Sequence, residues 1–127
     1  MSVEPVIAAA ARRTVTPAGV MTTLASPTQG GSHRLSLWRV EMQRDGAGPT
    51  HVFDSEQLWA VIAGQIRVVA DGRTSDLAAG DAIALPAGVQ RQITSLEDST
   101  IVVCGYGDAV ASVPGEESPR GTPAWIA

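Results

Sequence analysis

Residues 48–64 read GPTHVFDSEQLWAVIAG, and residues 80–91 read GDAIALPAGVQR. In both segments a short β-prone run is bounded by glycine, which is typical of short strands that end in tight turns. The turn Pro86–Gly88 interrupts the second segment, so the strand that opens at Asp81 must end before Arg91. Together the two segments predict a small β-barrel.

The same alternation of short β-prone runs and turn residues extends over most of the chain. The pair Asp71-Gly72 predicts a two-residue hairpin turn, because both of its positions need positive φ. We predict strands at Val20–Ala25, Arg34–Met42, His51–Phe53, Gln57–Ala63, Gln65–Ala70, Arg73–Leu77, Asp81–Leu85, Arg91–Thr94 and Thr100–Tyr106. Many short strands at near-regular spacing indicate an all-β sandwich or barrel.

The two ends of the chain differ from this middle part. Residues 1–19 show no clear period, apart from one or two possible helical turns at Ala8–Arg13. Residues 109–127 are rich in proline and glycine but end in the apolar pair Trp125-Ile126, which we expect to pack on the barrel or on a partner subunit. We therefore divide the chain into an N-terminal arm (1–19), a barrel domain (20–108) and a C-terminal tail (109–127).

Composition excludes several classes of function. The chain has 127 residues, which suits one domain, and its net charge is −4. Its nine basic residues form no cluster that could neutralise phosphates, which argues against a nucleic-acid partner. No apolar run approaches the roughly 20 residues of a membrane span. Cys104 is the single cysteine, so an internal disulfide is impossible and we expect the protein in the cytoplasm.

The glycine and proline spacing of the two quoted segments resembles the two motifs of the cupin superfamily. Gly80, Pro86 and Gly88 stand where the second motif carries glycine, proline and glycine, and Gly64 stands at the final glycine of the first motif. The resemblance spans roughly residues 34–106. It implies a small single-domain cupin, whose fold is an all-β jelly-roll barrel, also called a double-stranded β-helix.

Cupins of this pattern usually hold a divalent metal through histidines and a glutamate, ligands that suit Fe, Mn, Ni, Zn or Cu. The corresponding positions of this chain carry His51, Phe53, Gln57 and Arg91. Phe53 offers no ligand atom, and the permanent cation of Arg91 repels a divalent ion. We therefore predict a degenerate metal site that holds no metal, and no other cofactor. An atypical ligand set that still binds a metal remains an alternative.

Strand alternation predicts which side chains line the barrel cavity, because alternate residues point to opposite faces. If Gln57 faces inward, Trp59 and Val61 do so as well, and Ile93 shares the face of Arg91. The predicted substrate-binding residues are Phe53, Trp59, Val61, Ile93, Tyr106 and Cys104, and the predicted catalytic residues are His51, Gln57 and Arg91. This mixture suits a small organic ligand with one anionic or carbonyl end.

Two of these residues also have structural interpretations. His51 could be a buried histidine that donates to a backbone carbonyl, although it is also the one plausible acid or base of the pocket near neutral pH. Arg91 could pair with Glu56, Glu97 or Asp98. If it points inward instead, it suits a carboxylate, phenolate or enolate.

The resemblance to degenerate stand-alone cupins implies a metal-independent enzyme of the cyclase, isomerase or dehydratase type. In this interpretation Arg91 and Gln57 polarise a carbonyl or enolate oxygen, and His51 moves the proton. The alternatives are a non-catalytic ligand-binding or sensor module and a metal-dependent dioxygenase or lyase. Cupins commonly pair through their outer sheet, often with an exchanged N-terminal strand, so we also expect a homodimer in which Val20–Ala25 is a suitable strand for exchange.

Overall fold

The computed structural model describes residues 3–127, and these residues form an all-β barrel with one short 3₁₀ helix at Ala8–Ala10. The strands are β1 (Arg12–Thr16), β2 (Gly19–Ala25), β3 (Leu35–Met42), β4 (Val52–Phe53), β5 (Gln57–Ala63), β6 (Gln65–Ala70), β7 (Arg73–Ala78), β8 (Ala82–Leu85), β9 (Arg91–Ser95), β10 (Ser99–Tyr106) and β11 (Ala111–Ser112). All pairings between these strands are antiparallel.

The strands form a large sheet in the order β1-β2-β3-β10-β5-β8, a smaller sheet in the order β7-β6-β9, and the short pair β11-β4. The apolar sides of the sheets meet in one core, which includes Trp38 and Val40 from β3, Val61 from β5 and Ile66 from β6. Because side chains alternate along each strand, the opposite sides face solvent. The predicted all-β jelly-roll fold is confirmed.

Most of the predicted strands are also confirmed, and two of them to the residue, Gln57–Ala63 and Gln65–Ala70. Asp71 and Gly72 have φ values of 52° and 70°, as the predicted hairpin turn requires. The structure adds β1 within the predicted arm, where the helical turn is limited to Ala8–Ala10. Its sequence, Arg-Arg-Thr-Val-Thr, has no apolar alternation, but Arg12–Thr16 pairs in register with β2.

Burial along β10 corrects one prediction about the cavity. Cys104 pairs with Leu37 on one side and Leu58 on the other, and these three side chains share the outer face of the large sheet. Tyr106 lies on that face too, is 40% exposed, and lies under the guanidinium of Arg34 at 5.9 Å. The inward positions of β10 are Ile101, Val103 and Gly105 instead. The prediction that Cys104 and Tyr106 line the cavity is therefore wrong, because the odd-numbered residues of this strand point inward and the even-numbered ones point outward.

In the structure, the C-terminal segment packs onto the barrel. Ile126 is 0% exposed and belongs to the core. The hydroxyl of Thr23 on β2 donates to the carbonyl of Trp125 at 2.7 Å, and the Arg12 guanidinium donates to the carbonyls of Ala124 at 2.7 Å and Ala127 at 3.0 Å. Both ends of the described chain therefore meet at one edge of the large sheet.

Within the described residues, no helix has the length and apolar character that crossing a lipid bilayer requires.

Candidate functional site

A cavity of ≈ 470 Å³ lies inside the barrel, with walls from the large sheet, from β4 and β9, and from the C-terminal segment. Its lining is mainly apolar and includes Met21, Trp38, Val40, Met42, Phe53, Trp59, Ile93, Trp125 and Ile126. Polar side chains on the lining are those of Thr16, His51, Gln57 and Arg120. A ligand in this space would be held mainly by apolar contact and oriented by a few polar groups.

The four residues at the family's metal positions come together at one wall of this cavity, with Arg91 behind the other three. His51 and Arg91 exchange a pair of backbone hydrogen bonds of 3.0 Å, which fixes the start of the first motif against the start of β9. The rings of His51 and Phe53 meet edge to face with centroids 5.3 Å apart. The guanidinium carbon of Arg91 lies 5.3 Å from the centre of the Phe53 ring, a cation–π arrangement.

The amide of Gln57 has one orientation, which its neighbours determine. Its Oε1 accepts hydrogen bonds from Nε1 of Trp59 at 3.2 Å and from Nη1 of Arg91 at 3.1 Å. Both neighbours can only donate, so the atom between them must be the oxygen. Nε2 of Gln57 is consequently a buried donor without a partner among the described residues. Such a donor costs free energy until an acceptor reaches it.

Arg91 is a buried cation without a carboxylate partner. Its side chain is 0% exposed, its Nε donates to the carbonyl of Val89 at 3.2 Å, and its Nη2 has no partner in residues 3–127. The ion pairs of the described chain involve other arginines, Arg39, Arg67 and Arg120. Burial lowers the pKa of Arg91 to about 10, so the guanidinium is still charged at neutral pH. The alternative in which Arg91 pairs with Glu56, Glu97 or Asp98 does not occur.

His51 lies half-buried on the cavity wall with one ring nitrogen engaged. Nδ1 lies 2.9 Å from the carbonyl oxygen of Pro49. That oxygen can only accept, so Nδ1 carries the proton and the lone pair of the neutral ring is on Nε2. Burial lowers the pKa of His51, and the positive charges of Arg91 and Arg120 lower it further against the opposing effect of the Pro49 hydrogen bond. The ring is therefore a neutral base at neutral pH.

These residues do not fit a divalent metal. Phe53 supplies no donor atom, Oε1 of Gln57 is already occupied by two hydrogen bonds, and Arg91 brings a positive charge to the same place. Among the described residues, His, Cys, Asp and Glu side chains form no group of three or more that could hold a metal ion. Neither Asp54 nor Glu56 is buried, and Asp54 accepts a hydrogen bond from the backbone of Val110.

The structure separates the predicted site residues into three groups. The cavity lining includes His51, Gln57, Phe53, Trp59 and Ile93. Arg91 and Val61 face inward and are buried, but they lie behind the lining, and Arg91 reaches the cavity through its bond to Gln57. Cys104 and Tyr106 lie outside. Their functional roles remain predictions.

Sequence reasoning missed two residues near the predicted site, one on the cavity lining and one beside Gln57. Arg120 lines the cavity from the tail and forms an exposed ion pair with Glu116 at 2.9 Å. Gly105 lies beside Gln57, where an added Cβ would come within 3.1 Å of its Cγ. The sequence could have indicated Gly105, because it lies on the same face of β10 as Ile101 and Val103. No pattern in the irregular tail could have indicated Arg120.

Comparisons with known proteins agree with this fold. A family model described as the cupin domain matches residues 38–104, which is more than half of the chain. None of the curated proteins searched matches the chain.

Solved structures with the same fold come from several bacteria. KdgF from Halomonas sp. is 23% identical, with a TM-score of 0.65, over 73% of this chain and 82% of its own. An RmlC-like cupin from Shewanella frigidimarina NCIMB 400 is 18% identical, with a TM-score of 0.70, over 83% of this chain and 91% of its own. A sugar phosphate isomerase from Silicibacter pomeroyi is 20% identical, with a TM-score of 0.63, over 78% of this chain and 68% of its own.

Identities this low establish the shared fold and leave the activity open. The match of the family model, the two motifs and the jelly-roll barrel lead to one conclusion: the chain belongs to the cupin family.

Proposed function

We propose that this cupin is a metal-independent enzyme that moves a proton on a small carbonyl-bearing molecule in its barrel cavity. The reaction would be a cyclisation, an isomerisation or a dehydration. The observation that carries the proposal is the arrangement around Phe53. Its ring contacts both the neutral His51, which has its lone pair on Nε2, and Arg91, which forms a donor pair with Gln57.

The proposed reaction begins when Nε2 of His51 takes a proton from the carbon next to the carbonyl. The electron pair of the broken C–H bond forms the enolate, and negative charge develops on the carbonyl oxygen. Nε2 of Gln57 donates a hydrogen bond to that oxygen, and the positive charge of Arg91 stabilises it through the Gln57 amide. His51 then returns the proton to another carbon, or to a departing hydroxyl group, which leaves as water.

The apolar lining supports this chemistry in two ways. The walls formed by Trp38, Trp59 and Ile126 would hold the body of the substrate and keep bulk water away from the enolate. In an environment of low dielectric, the charge of Arg91 acts more strongly on the developing oxyanion than it would in water. Metal independence is supported by the donor set, which does not fit a divalent ion.

The experiment that tests this function is deuterium exchange in D₂O, followed by NMR on a panel of enolisable ketones and aldehydes. We expect protein-dependent exchange at the carbon next to the carbonyl. His51→Ala should reduce the rate by about 10²–10⁴-fold while leaving the fold intact. His33→Ala is the matched control, because His33 is exposed in a loop. Equal rates for wild type and His51→Ala would refute the role of His51.

A binding or sensor module is the second candidate, and one observation favours it. Among the residues lining the cavity, His51 is the only group that titrates near neutral pH, so a single acid–base residue would have to serve every step. Tight binding of a ligand without exchange or conversion over hours would support this alternative.

We also propose a homodimer that forms through the outer face of the large sheet. Three exposed or half-buried apolar side chains, Leu37, Cys104 and Leu58, form one row across β3, β10 and β5, and Leu35 and Tyr106 extend it. Leu58→Asp should give the mass of a single chain in sedimentation, whereas Val69→Asp on the smaller sheet should not change the mass of the dimer. A wild-type mass equal to one chain would refute the dimer.

The cytoplasmic location stays a prediction that rests on the single cysteine.

A further inference from the structure

We propose that the Gln57–Arg91 pair is an oxyanion site that holds its substrate as an anion, and that the substrates are compact, planar β-dicarbonyl compounds, which His51 converts to their enolates in the cavity. This inference deepens the proposed function and rests on it for the choice of the cavity as the substrate site. It goes beyond that proposal because it states the charge of the bound molecule and the class of carbon acid.

The first step of the argument is the unmatched charge. Arg91 is 0% exposed, and no acidic side chain of the described chain pairs with it. A buried cation without an anion is costly, and that cost is recovered when a negative group arrives. The enolate of a simple ketone would compensate this charge only briefly, whereas the more stable enolate of a β-dicarbonyl compound would compensate it for as long as it is bound.

The second step is the direction in which the charge acts. Nη1 of Arg91 occupies one lone pair of Oε1 of Gln57, and Nε1 of Trp59 occupies the other. The amide is therefore polarised toward its NH₂ group, and Nε2 is the unpartnered donor on the residue that lines the cavity. Gln57 would contact the oxyanion, and Arg91 is a positioning residue that acts through the Gln57 amide.

The third step concerns the remainder of the ligand. Apart from the Gln57–Arg91 pair, the cationic group on the lining is that of Arg120, which is already engaged by Glu116. The other walls are dominated by aromatic, methionine and branched side chains. The arrangement therefore suits a single negative charge delocalised over a flat, mostly apolar body. An enolate of a β-dicarbonyl compound has this form.

The fourth step is the strength of the base. His51 is a neutral imidazole close to two arginines, and such a base removes protons only from acidic carbons. The carbon between two carbonyl groups is acidic in this sense, while that of a simple ketone is far less so. The base and the oxyanion site thus indicate the same class of substrate.

The test uses para-nitrophenol, whose ionised form is yellow and therefore reports its own charge when bound. We expect the wild-type protein to bind the phenolate at least about tenfold more tightly than the phenol, as a charge-assisted hydrogen bond in a buried site implies. Arg91→Met should abolish this preference, and Arg91→Lys should restore part of it. Arg39→Met, at a surface ion pair, is the charge-matched control and should leave the preference unchanged.

A second readout compares acetylacetone with acetone in the deuterium-exchange assay. We expect enolate absorbance and an exchange rate above that of the protein-free buffer with acetylacetone alone. His51→Ala should keep the preference for nitrophenolate while losing the exchange. Binding of nitrophenol in its neutral form, absence of binding, or an equal effect of Arg39→Met and Arg91→Met would overturn the oxyanion site. Bound nitrophenolate without exchange of any compound would refute the enzyme and the substrate class, and leave an anion-binding module.

Discussion

Nη1 of Arg91 donates a 3.1 Å hydrogen bond to Oε1 of Gln57, and this bond joins the second cupin motif to the first in the interior of the barrel. Glutamate and histidine, the residues that the cupin pattern places at these two positions, would both bind a metal. In this chain the two side chains bind each other, and the charge between them is positive. In the described chain, a buried positive charge therefore lies where the cupin pattern has metal ligands.

Replacing the buried guanidinium should stabilise the ligand-free protein. Arg91→Met keeps much of the volume and removes a buried cation that lacks a carboxylate partner. We expect the free energy of unfolding to rise by about 1–3 kcal/mol, measured by urea denaturation at neutral pH. Arg39→Met, which breaks an exposed ion pair with Glu41, should change it by less than about 0.5 kcal/mol. A loss of stability in Arg91→Met would show that the cation is compensated inside the protein.

The protonation of His51 should follow its surroundings. Burial, and then the charges of Arg91 and Arg120, hold its pKa below the ordinary value of 6.5. NMR titration of the ring should give a midpoint below that value, and Arg91→Met should raise the midpoint. Activity that needs the neutral ring should be constant above pH 6.5 and fall as pH drops through the lowered pKa.

The same shift makes a separate prediction about stability. The unfolded chain binds a proton on His51 at a higher pH than the folded chain does, so stability decreases as pH falls from 6.5 through the lowered pKa. His51→Gln should remove this part of the pH dependence, and His33→Gln should leave it unchanged. An unaltered slope in His51→Gln would contradict the assignment.

The predictions from sequence were most accurate where backbone conformation and alternation decide the structure. Asp71-Gly72 and Gly64 require positive φ, and the strands on either side of them were placed to the residue or nearly so. The inward face of β5 was also predicted, since Gln57, Trp59 and Val61 are all buried. At these positions, backbone conformation and side-chain alternation within a single segment determine the structure.

Prediction was poorer where tertiary pairing decides the structure. β1 forms because β2 offers it an edge, while its own sequence, Arg-Arg-Thr-Val-Thr, has no apolar alternation. The inward face of β10 depends on its register with β3 and β5. The sequence shows that alternate residues share a face, but it does not show which of the two faces points inward. The position of Arg91 behind Gln57 depends on the geometry of two motifs that are far apart in the chain.

The C-terminal segment should contribute to the stability of the barrel as a core strand does. Ile126 is 0% exposed and closes one wall of the cavity. We expect Ile126→Ala to cost about 2–4 kcal/mol in urea denaturation, since a buried isoleucine is truncated. Ile62→Ala is the matched control, because Ile62 is 57% exposed on β5 and its truncation should cost less than about 0.5 kcal/mol. Equal effects of the two substitutions would mean that the segment is not held in place.

The glycine that ends the first motif should not tolerate a side chain. Gly64 has a φ of 84°, and an added Cβ would collide with the carbonyl oxygen of Asp98 and the hydroxyl of Ser99. We expect Gly64→Ala to cost about 3 kcal/mol or more, from the left-handed backbone and the collision together. Gly72→Ala has the same backbone strain with free space around the Cβ, so about 1–2 kcal/mol is expected. Differential scanning calorimetry compares the two.

The closure of the cavity by Trp125 and Ile126 has a consequence for how the barrel folds. These two residues follow all eleven strands of the described chain, so the sheets can pair before this segment docks. A barrel at that stage would have an open wall, with the tryptophans of β3 and β5 in contact with water. Docking of Trp125 and Ile126 would then close the interior, and a ligand that had entered through the open wall would be enclosed at that step.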